Sequence, residues 1–237
     1  MDLRVLNCVA TLVAMRGSGS RIPHQLVRMA ARDCSVVEVL PADPDDDAVK
    51  PGGKLLLSPD RRLLAYYVRG YPLIRDVRDM KVVRRLDRPE EWKYGRFRFM
   101  PDSQSLVVLL YQQISPSHSW QYARRLRLYD IADGGVVREL DIGAVSSLGE
   151  LVVSPEGKLA AVSHDNLRDR IFRGQQKKPI VVIHDLESGE ELTRQEFPWG
   201  PDDDSYDLTR IEFAGDGQYL LTSTGDTQVW KIIQSAQ

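Results

Sequence analysis

One four-residue pattern recurs four times in this chain and limits, more than any other feature, what the chain can become. The copies are Ser58-Pro59-Asp60-Arg61, Met100-Pro101-Asp102-Ser103, Ser154-Pro155-Glu156-Gly157 and Ala214-Gly215-Asp216-Gly217. Pro at the second position fixes φ, Ser or Asp caps the bend and Gly at the fourth relieves crowding, so each copy reads as a type I turn. Apolar residues spaced two apart precede every turn: Leu55 and Leu57, Phe97 and Phe99, Leu151 and Val153, Ile211 and Phe213. That spacing is strand with one face buried.

A second strand follows each turn, in Leu63-Leu64-Ala65, Leu106-Val107-Val108, Leu159-Ala160-Ala161 and Tyr219-Leu220-Leu221. These runs are apolar on both faces, which places them inside a layered all-β structure. Third strands read Leu73-Ile74-Arg75-Asp76, Arg127-Leu128-Tyr129-Asp130, Val182-Ile183-His184-Asp185 and Gln228-Val229-Trp230-Lys231. In the first three copies a short turn leads to a fourth strand, such as Val82 to Leu86 or Val136 to Leu140. The unit is an antiparallel meander of about 40 residues, the blade of a β-propeller.

The segments Leu57 to Ala65, Leu126 to Leu140 and Gln228 to Lys231 resemble the WD-repeat and related propeller families, whose blades carry an SPDG-x-x-LA turn and a strand ending in Trp-Asp. The resemblance covers residues 51 to 233 and implies a propeller built for protein binding. Two departures stand out. The chain has no Gly-His dipeptide, and its Trp-Asp positions read Arg75-Asp76, Tyr129-Asp130, His184-Asp185 and Trp230-Lys231. The expected fold is all-β, a propeller of four to five four-stranded blades, with blades near 51–90, 91–143, 147–200 and 206–233. Within the N-terminal segment, residues 1–50, Val36 to Leu40 is either a ring-closing outer strand for the last copy or part of a degenerate fifth blade. A chain that forms part of a longer propeller is a further alternative.

The repeats differ most between their second and third strands. From turn to third-strand Asp or Lys the interval is 17 and 16 residues in the outer copies but 29 and 30 in the middle two. The extra residues read as two long loops, Gln112 to Arg125 and His164 to Pro179, on the rim that also carries the blade-joining loops. Long loops on a rigid scaffold are where binding residues concentrate. The first holds Trp120, Tyr122, Arg124 and Arg125; the second holds Arg168, Arg170, Phe172, Arg173, Lys177 and Lys178. Aromatic residues and Arg are enriched at interface hot spots, so these ten are the expected partner-binding set. Pro44-Asp45-Asp46-Asp47 and Pro201-Asp202-Asp203-Asp204 add acidic loops to the same rim.

Composition removes other classes. With 32 basic and 34 acidic residues the net charge is −2, so no global field draws the chain to nucleic acid or an anionic membrane. The 24 Arg against 8 Lys fit either carboxylate and phosphate recognition or a codon bias. No apolar run approaches a membrane span. Val5 to Met15 is mostly apolar, yet Asp2, Asn7, Arg16 and Arg21 stand where a signal peptide would not have them. Two cysteines, Cys8 and Cys34, fit a reducing compartment. No Gly-x-Ser-x-Gly elbow or phosphate loop occurs, and the four histidines and two cysteines show no zinc-type pairing. His164-Asp165 and His184-Asp185 lie close enough in one copy to meet across a hairpin, although His184 stands at a packed strand position.

The expected function is therefore a cytoplasmic, non-enzymatic scaffold without cofactor or metal, binding a protein or peptide through its long-loop rim. The alternatives are a propeller domain of a larger enzyme or sensor assembly and, below that, a hydrolase sited in the central channel.

Overall fold

The computed structural model describes residues 11–16, 25–30, 36–39, 55–68, 70–87, 89–115, 118–145, 149–165, 179–196, 210–215, 217–223 and 227–232. For the first three segments, and at Val68, Ser115, residues 118–121, Asp165, Pro179, Thr227 and Gln228, the description is of the backbone alone. Two compact units divide the chain: residues 1–88 with 131–134, and residues 89–130 with 135–237.

The first unit contains two antiparallel meanders. β1 (Thr11–Arg16), β2 (Gln25–Ala30) and β3 (Val36–Val39) form a three-stranded sheet in chain order. β4 (Leu56–Leu57), β5 (Leu63–Val68), β6 (Tyr71–Asp76) and β7 (Val82–Arg85) form a four-stranded one. Of the two placements open to Val36 to Leu40, β3 is seen paired with β2, Arg28 lying opposite Glu38. Its core gathers Leu64, Tyr66, Leu73, Val77 and Met80, with Leu55 and Leu57 against them.

Three meanders make up the second unit. They are β8 (Lys93–Phe99), β9 (Ser105–Ser115), β10 (His118–Asp130) and β11 (Val136–Val145); β12 (Leu151–Val153), β13 (Leu159–Asp165), β14 (Pro179–Asp185) and β15 (Glu191–Glu196); and β16 (Arg210–Phe213), β17 (Tyr219–Ser223) and β18 (Thr227–Lys231). Among the described residues, β18 pairs only with β17.

The repeated turns hold these meanders in one register. In every copy the first turn residue accepts a hydrogen bond from the amide three residues on and donates to the carbonyl five residues on. Ser58 and Ser154 do so with Arg61 and Leu63, and with Gly157 and Leu159, at 2.8–2.9 Å. Met100 and Ala214 repeat the pattern with Ser103 and Ser105, and with Gly217 and Tyr219. Side chains tie the same loop: Ser58 Oγ accepts from the Leu63 amide at 2.9 Å, and Ser154 Oγ from that of Leu159 at 3.0 Å. The fourth residue is left-handed in all copies, at φ 64° for Arg61, 60° for Ser103, 75° for Gly157 and 72° for Gly217. Glycine adopts that region freely, whereas Arg61 and Ser103 hold it against their Cβ atoms.

In the first and third copies the Asp that ends the third strand caps the next turn. Asp76 Oδ1 accepts from the Arg78 amide at 2.8 Å, and Asp185 Oδ1 from those of Glu187 and Ser188 at 2.8 and 2.6 Å. The Arg78 side chain holds the Asp76 carboxyl below its ordinary pKa, and the Ser188 amide does the same for Asp185. The recurrent Asp is thus a turn device.

The residue before it is a large side chain with a polar head. Arg75, Tyr129, His184 and Trp230 lie opposite Leu64, Leu106, Ala160 and Leu220. Three heads find a neighbour: Arg75 Nε donates to Tyr66 Oη at 2.7 Å and its Nη1 to the Met80 carbonyl at 2.7 Å. Trp230 Nε1 donates to Thr222 Oγ1 at 3.0 Å, and the Tyr129 and Tyr94 hydroxyls stand 3.5 Å apart. His184 is the exception.

Alternation along β13 sorts the core of the second unit into two layers. Ala160 and Val162 face Leu126, Leu109 and Ile142 of the preceding sheet, while Leu159 and Ala161 face Ile211, Phe213 and Leu220 of the following one. The central strands β13 and β14 are therefore buried on both faces over Leu159–Val162 and Ile180–Ile183, which is why those two runs are apolar at every position. Each fully buried Leu, Ile or Val there contributes about 1.5–3 kcal/mol. A cross-sheet contact repeats the logic in polar form, since Arg138 Nη1 on β11 donates to the carbonyls of Leu186 and Glu187 in the β14–β15 turn.

The segment Gln112 to Arg125 corrects the expectation of a loop. It lies almost wholly in β9 and β10, which run for 11 and 13 residues where their counterparts β5 and β6 have six each. The inserted residues include Tyr111, Ile114, Trp120 and Tyr122, which favour strand, and no Gly, Asp or Asn. Of the second expected loop, His164 to Pro179, His164 and Asp165 lie in β13 and Pro179 in β14, and residues 166–178 lie outside the described residues.

Candidate functional site

β9 and β10 outrun their neighbours. β8 pairs with β9 as far as Tyr111, and β11 pairs with β10 as far as Tyr122. Beyond those points, among the described residues, Gln112–Ser115 pair only with β10, Gln112 and Gln113 opposite Ala123 and Tyr122 and Ser115 opposite His118, so the two strands continue as a ribbon past the four-stranded sheet. Tyr111 and Tyr122 brace its base edge to face, with centroids 5.6 Å apart and planes at 89°. Gln112 Nε2 donates to Glu91 Oε2 at 2.7 Å. Ile114 is 52% exposed on the ribbon, an apolar side chain that the sheet does not cover.

The structure distributes the expected partner-binding residues unevenly. Trp120 lies in β10 on the ribbon, its side chain outside the description. Tyr122 is half-buried at the base. Arg125 lies over the Trp92 ring, 4.4 Å from its centroid, and donates to Glu139 Oε1 at 2.6 Å. Glu139 also accepts from Arg127 Nε at 2.6 Å, so one carboxylate holds two guanidinium groups. Arg168, Arg170, Phe172, Arg173, Lys177 and Lys178 lie outside the described residues, as do both Pro-Asp-Asp-Asp runs.

Arg124 is a correction. Its sequence neighbourhood suggested a rim cation, yet it is buried. Bonded pairing sets the reason: Arg124 lies opposite Tyr111 on β9, two residues from Leu126 on the face packed against β12–β15. Burial, and then the charge of Arg194, lower its pKa to about 10 against the opposing field of Glu191.

Sequence reasoning missed Trp92, Glu139, Glu191 and Arg194, because each is brought into play by strand pairing or sheet packing and none stands in a motif. The Arg excess has a use that the sequence did not show. Arg78, Arg98, Arg125, Arg194 and Arg210 pair with Asp76, Glu150, Glu139, Glu191 and Glu212, and Arg84 and Arg138 bond carbonyls.

His164 and His184 share one face of the β13–β14 pair, but His164 stands opposite Ile180 and His184 opposite Ala160. That four-residue offset is about 13 Å along the strands, too far for one metal ion to bridge. Among the described residues, no group of three or more His, Cys, Asp or Glu side chains is disposed to hold a metal.

No family model matches the chain, and no curated protein does. Solved structures do. A chain from the "Complex of KlAtg21 with coiled-coil of AgAtg16" aligns with a TM-score of 0.59 at 13% identity, over 94% of this chain. The likeness is one of fold. This chain spans 63% of the length of that one. A chain of Kuenenia stuttgartiensis hydrazine synthase aligns with a TM-score of 0.49 at 19% identity, over 90% of this chain and 70% of its own.

Proposed function

We propose that this chain is a non-enzymatic, WD-repeat-like β-propeller scaffold of the cytoplasm that binds a protein or peptide partner. In that reading the successive meanders are its blades, and the β9–β10 ribbon is its principal contact. The ribbon carries the proposal: a two-stranded extension, braced by Tyr111 and Tyr122, that presents the exposed Ile114 beyond the sheet. Its base is stiffened by the stack of Arg125 on Trp92, so binding it orders little that is not already ordered. The structurally similar Atg21 chain was solved in complex with a coiled coil, which is in keeping with partner binding on this fold.

The reading is tested with a photo-crosslinking residue at position 114 and, as control, at exposed position 83 on β7. Crosslinking of one defined partner from 114 but not 83, lost when Trp120 and Tyr122 are changed to Ser without a fall in Tm, is the expected result. Equal capture from both positions, or capture that survives the Ser substitutions, overturns it.

A further inference from the structure

Two side chains in the layer between β8–β11 and β12–β15 lack what burial ordinarily requires. Arg124 is 2% exposed. Its Nη2 donates to the Ile142 carbonyl at 3.3 Å, while Nε and Nη1 have no acceptor among the described residues. His184 is 3% exposed, and neither ring nitrogen meets hydrogen-bond geometry with any partner. Alternation puts both in the same layer, Arg124 beside Leu126 on β10 and His184 opposite Ala160. They are near enough for the guanidinium charge to act on the imidazole.

Burying a guanidinium without a counter-charge is far costlier than burying a neutral polar group. The titratable groups on the strands facing this pair are His164 on β13 and Glu191 and Arg194 on β15. Glu191 is the acid whose field reaches Arg124, but Arg194 already holds both its oxygens, at 2.8 and 2.6 Å. Among the described residues no carboxylate therefore bonds Arg124. Internal water would satisfy N–H dipoles and would bring no negative charge. The donors left over, guanidinium N–H groups and one imidazole N–H, are those that cradle an anion.

We propose that Arg124 and His184 form a buried site for a small monovalent anion, of chloride to formate size, which accepts hydrogen bonds from the orphan N–H groups of both residues. The anion is structural: it supplies the charge that Arg124 lacks and joins the two sheets across their common layer. This site is independent of the ribbon and of the partner proposed for it.

The probe is chloride, titrated from 1 to 200 mM against gluconate at constant ionic strength on the full chain, with the unfolding midpoint as readout. A native-state ligand stabilises progressively above its Kd. The expected result is a midpoint that climbs with chloride in the wild type and stays flat in Arg124→Met. His184→Asn should need at least tenfold more chloride for the same rise. Bromide diffraction on wild-type crystals adds a readout that needs no variant: an anomalous peak within hydrogen-bond distance of both residues is expected. A wild type indifferent to chloride, an equal climb in Arg124→Met, or a site holding water alone overturns the proposal. A bromide peak without any chloride-dependent stabilisation, an adventitious ion only, overturns it as well.

Discussion

Arg75 in the first unit and His184 in the second occupy the same position of the repeat, one residue before the turn-capping Asp, and they meet different fates. Both are buried, and both carry a polar head into the sheet interior. Arg75 reaches Tyr66 and the Met80 carbonyl. His184 has no side-chain partner on the neighbouring strand, because the residue equivalent to Tyr66 in its copy is Val162. Thr222 fills that position for Trp230. One side chain on the neighbouring strand thus decides whether a buried polar head is an asset or a liability, and the repeat tolerates either because the surrounding apolar layers supply most of the stability.

Acid should expose the difference most strongly. Burial, then the nearby Arg124 charge, push the His184 pKa down to about 4, opposed by Glu191 and the Gly189 backbone. The unfolded chain binds this proton near pH 6.5 and the folded chain only near 4, so the stabilisation is whole above 6.5 and is lost as pH falls toward 4. Its upper range is about 2–3 kcal/mol. Urea midpoints at pH 7 and pH 4.5 should fall further apart in the wild type than in His184→Asn; equal shifts would mean that His184 is not buried neutral.

Removing the partner of Arg75 should come next. Tyr66→Phe leaves Nε of a buried guanidinium without its acceptor and should cost about 1–3 kcal/mol in denaturant unfolding. A loss within about 0.5 kcal/mol, the scale of ordinary surface changes, would show that the bond is not made in solution.

A smaller effect should come from repairing His184. Val162→Thr places a hydroxyl at the position that Thr222 holds, whereas Val108→Thr places one at the equivalent site beside no orphan head. We expect Val162→Thr to be the less damaging of the two by about 1 kcal/mol, and a reversed order would break the equivalence of the copies.

The turns should give the smallest changes. Arg61→Gly and Ser103→Gly relieve left-handed backbone at some entropic cost and should raise stability by about 0.5 kcal/mol each. Gly157→Ala should lower it, since the added Cβ would stand 3.3 Å from both Met100 Cε and Pro101 Cδ. Differential scanning calorimetry resolves both signs.

These contrasts also mark what was legible beforehand. The turns, the strand order within each copy and the doubly apolar second strands follow from local chemistry, since φ preferences and period two act over a few residues. The copies also showed where Asp76, Asp130 and Asp185 recur, although the work of Asp76 and Asp185 as turn caps needed the hydrogen bonds. The ribbon was not legible: charged and aromatic residues between two strands read as loop, and nothing local says that Gln112 and Ala123 will pair. Arg124 was misplaced for the same reason, since its burial depends on a sheet whose nearest residue in sequence lies more than 20 positions away. Trp92 and Glu139 entered only through packing against Arg125.

The grip of Arg138 on the β14–β15 turn bears on how the second unit is built over time. Within each meander nearly every contact is local and quick to form, but this one links residues 48 and 49 positions apart. An emerging chain can fold the β8–β11 hairpins early, and β11 then waits until Leu186 and Glu187 leave the ribosome before its outer edge is held. In native-state exchange the amides of β11 should therefore open together with that turn, as one cooperative segment spanning two sheets.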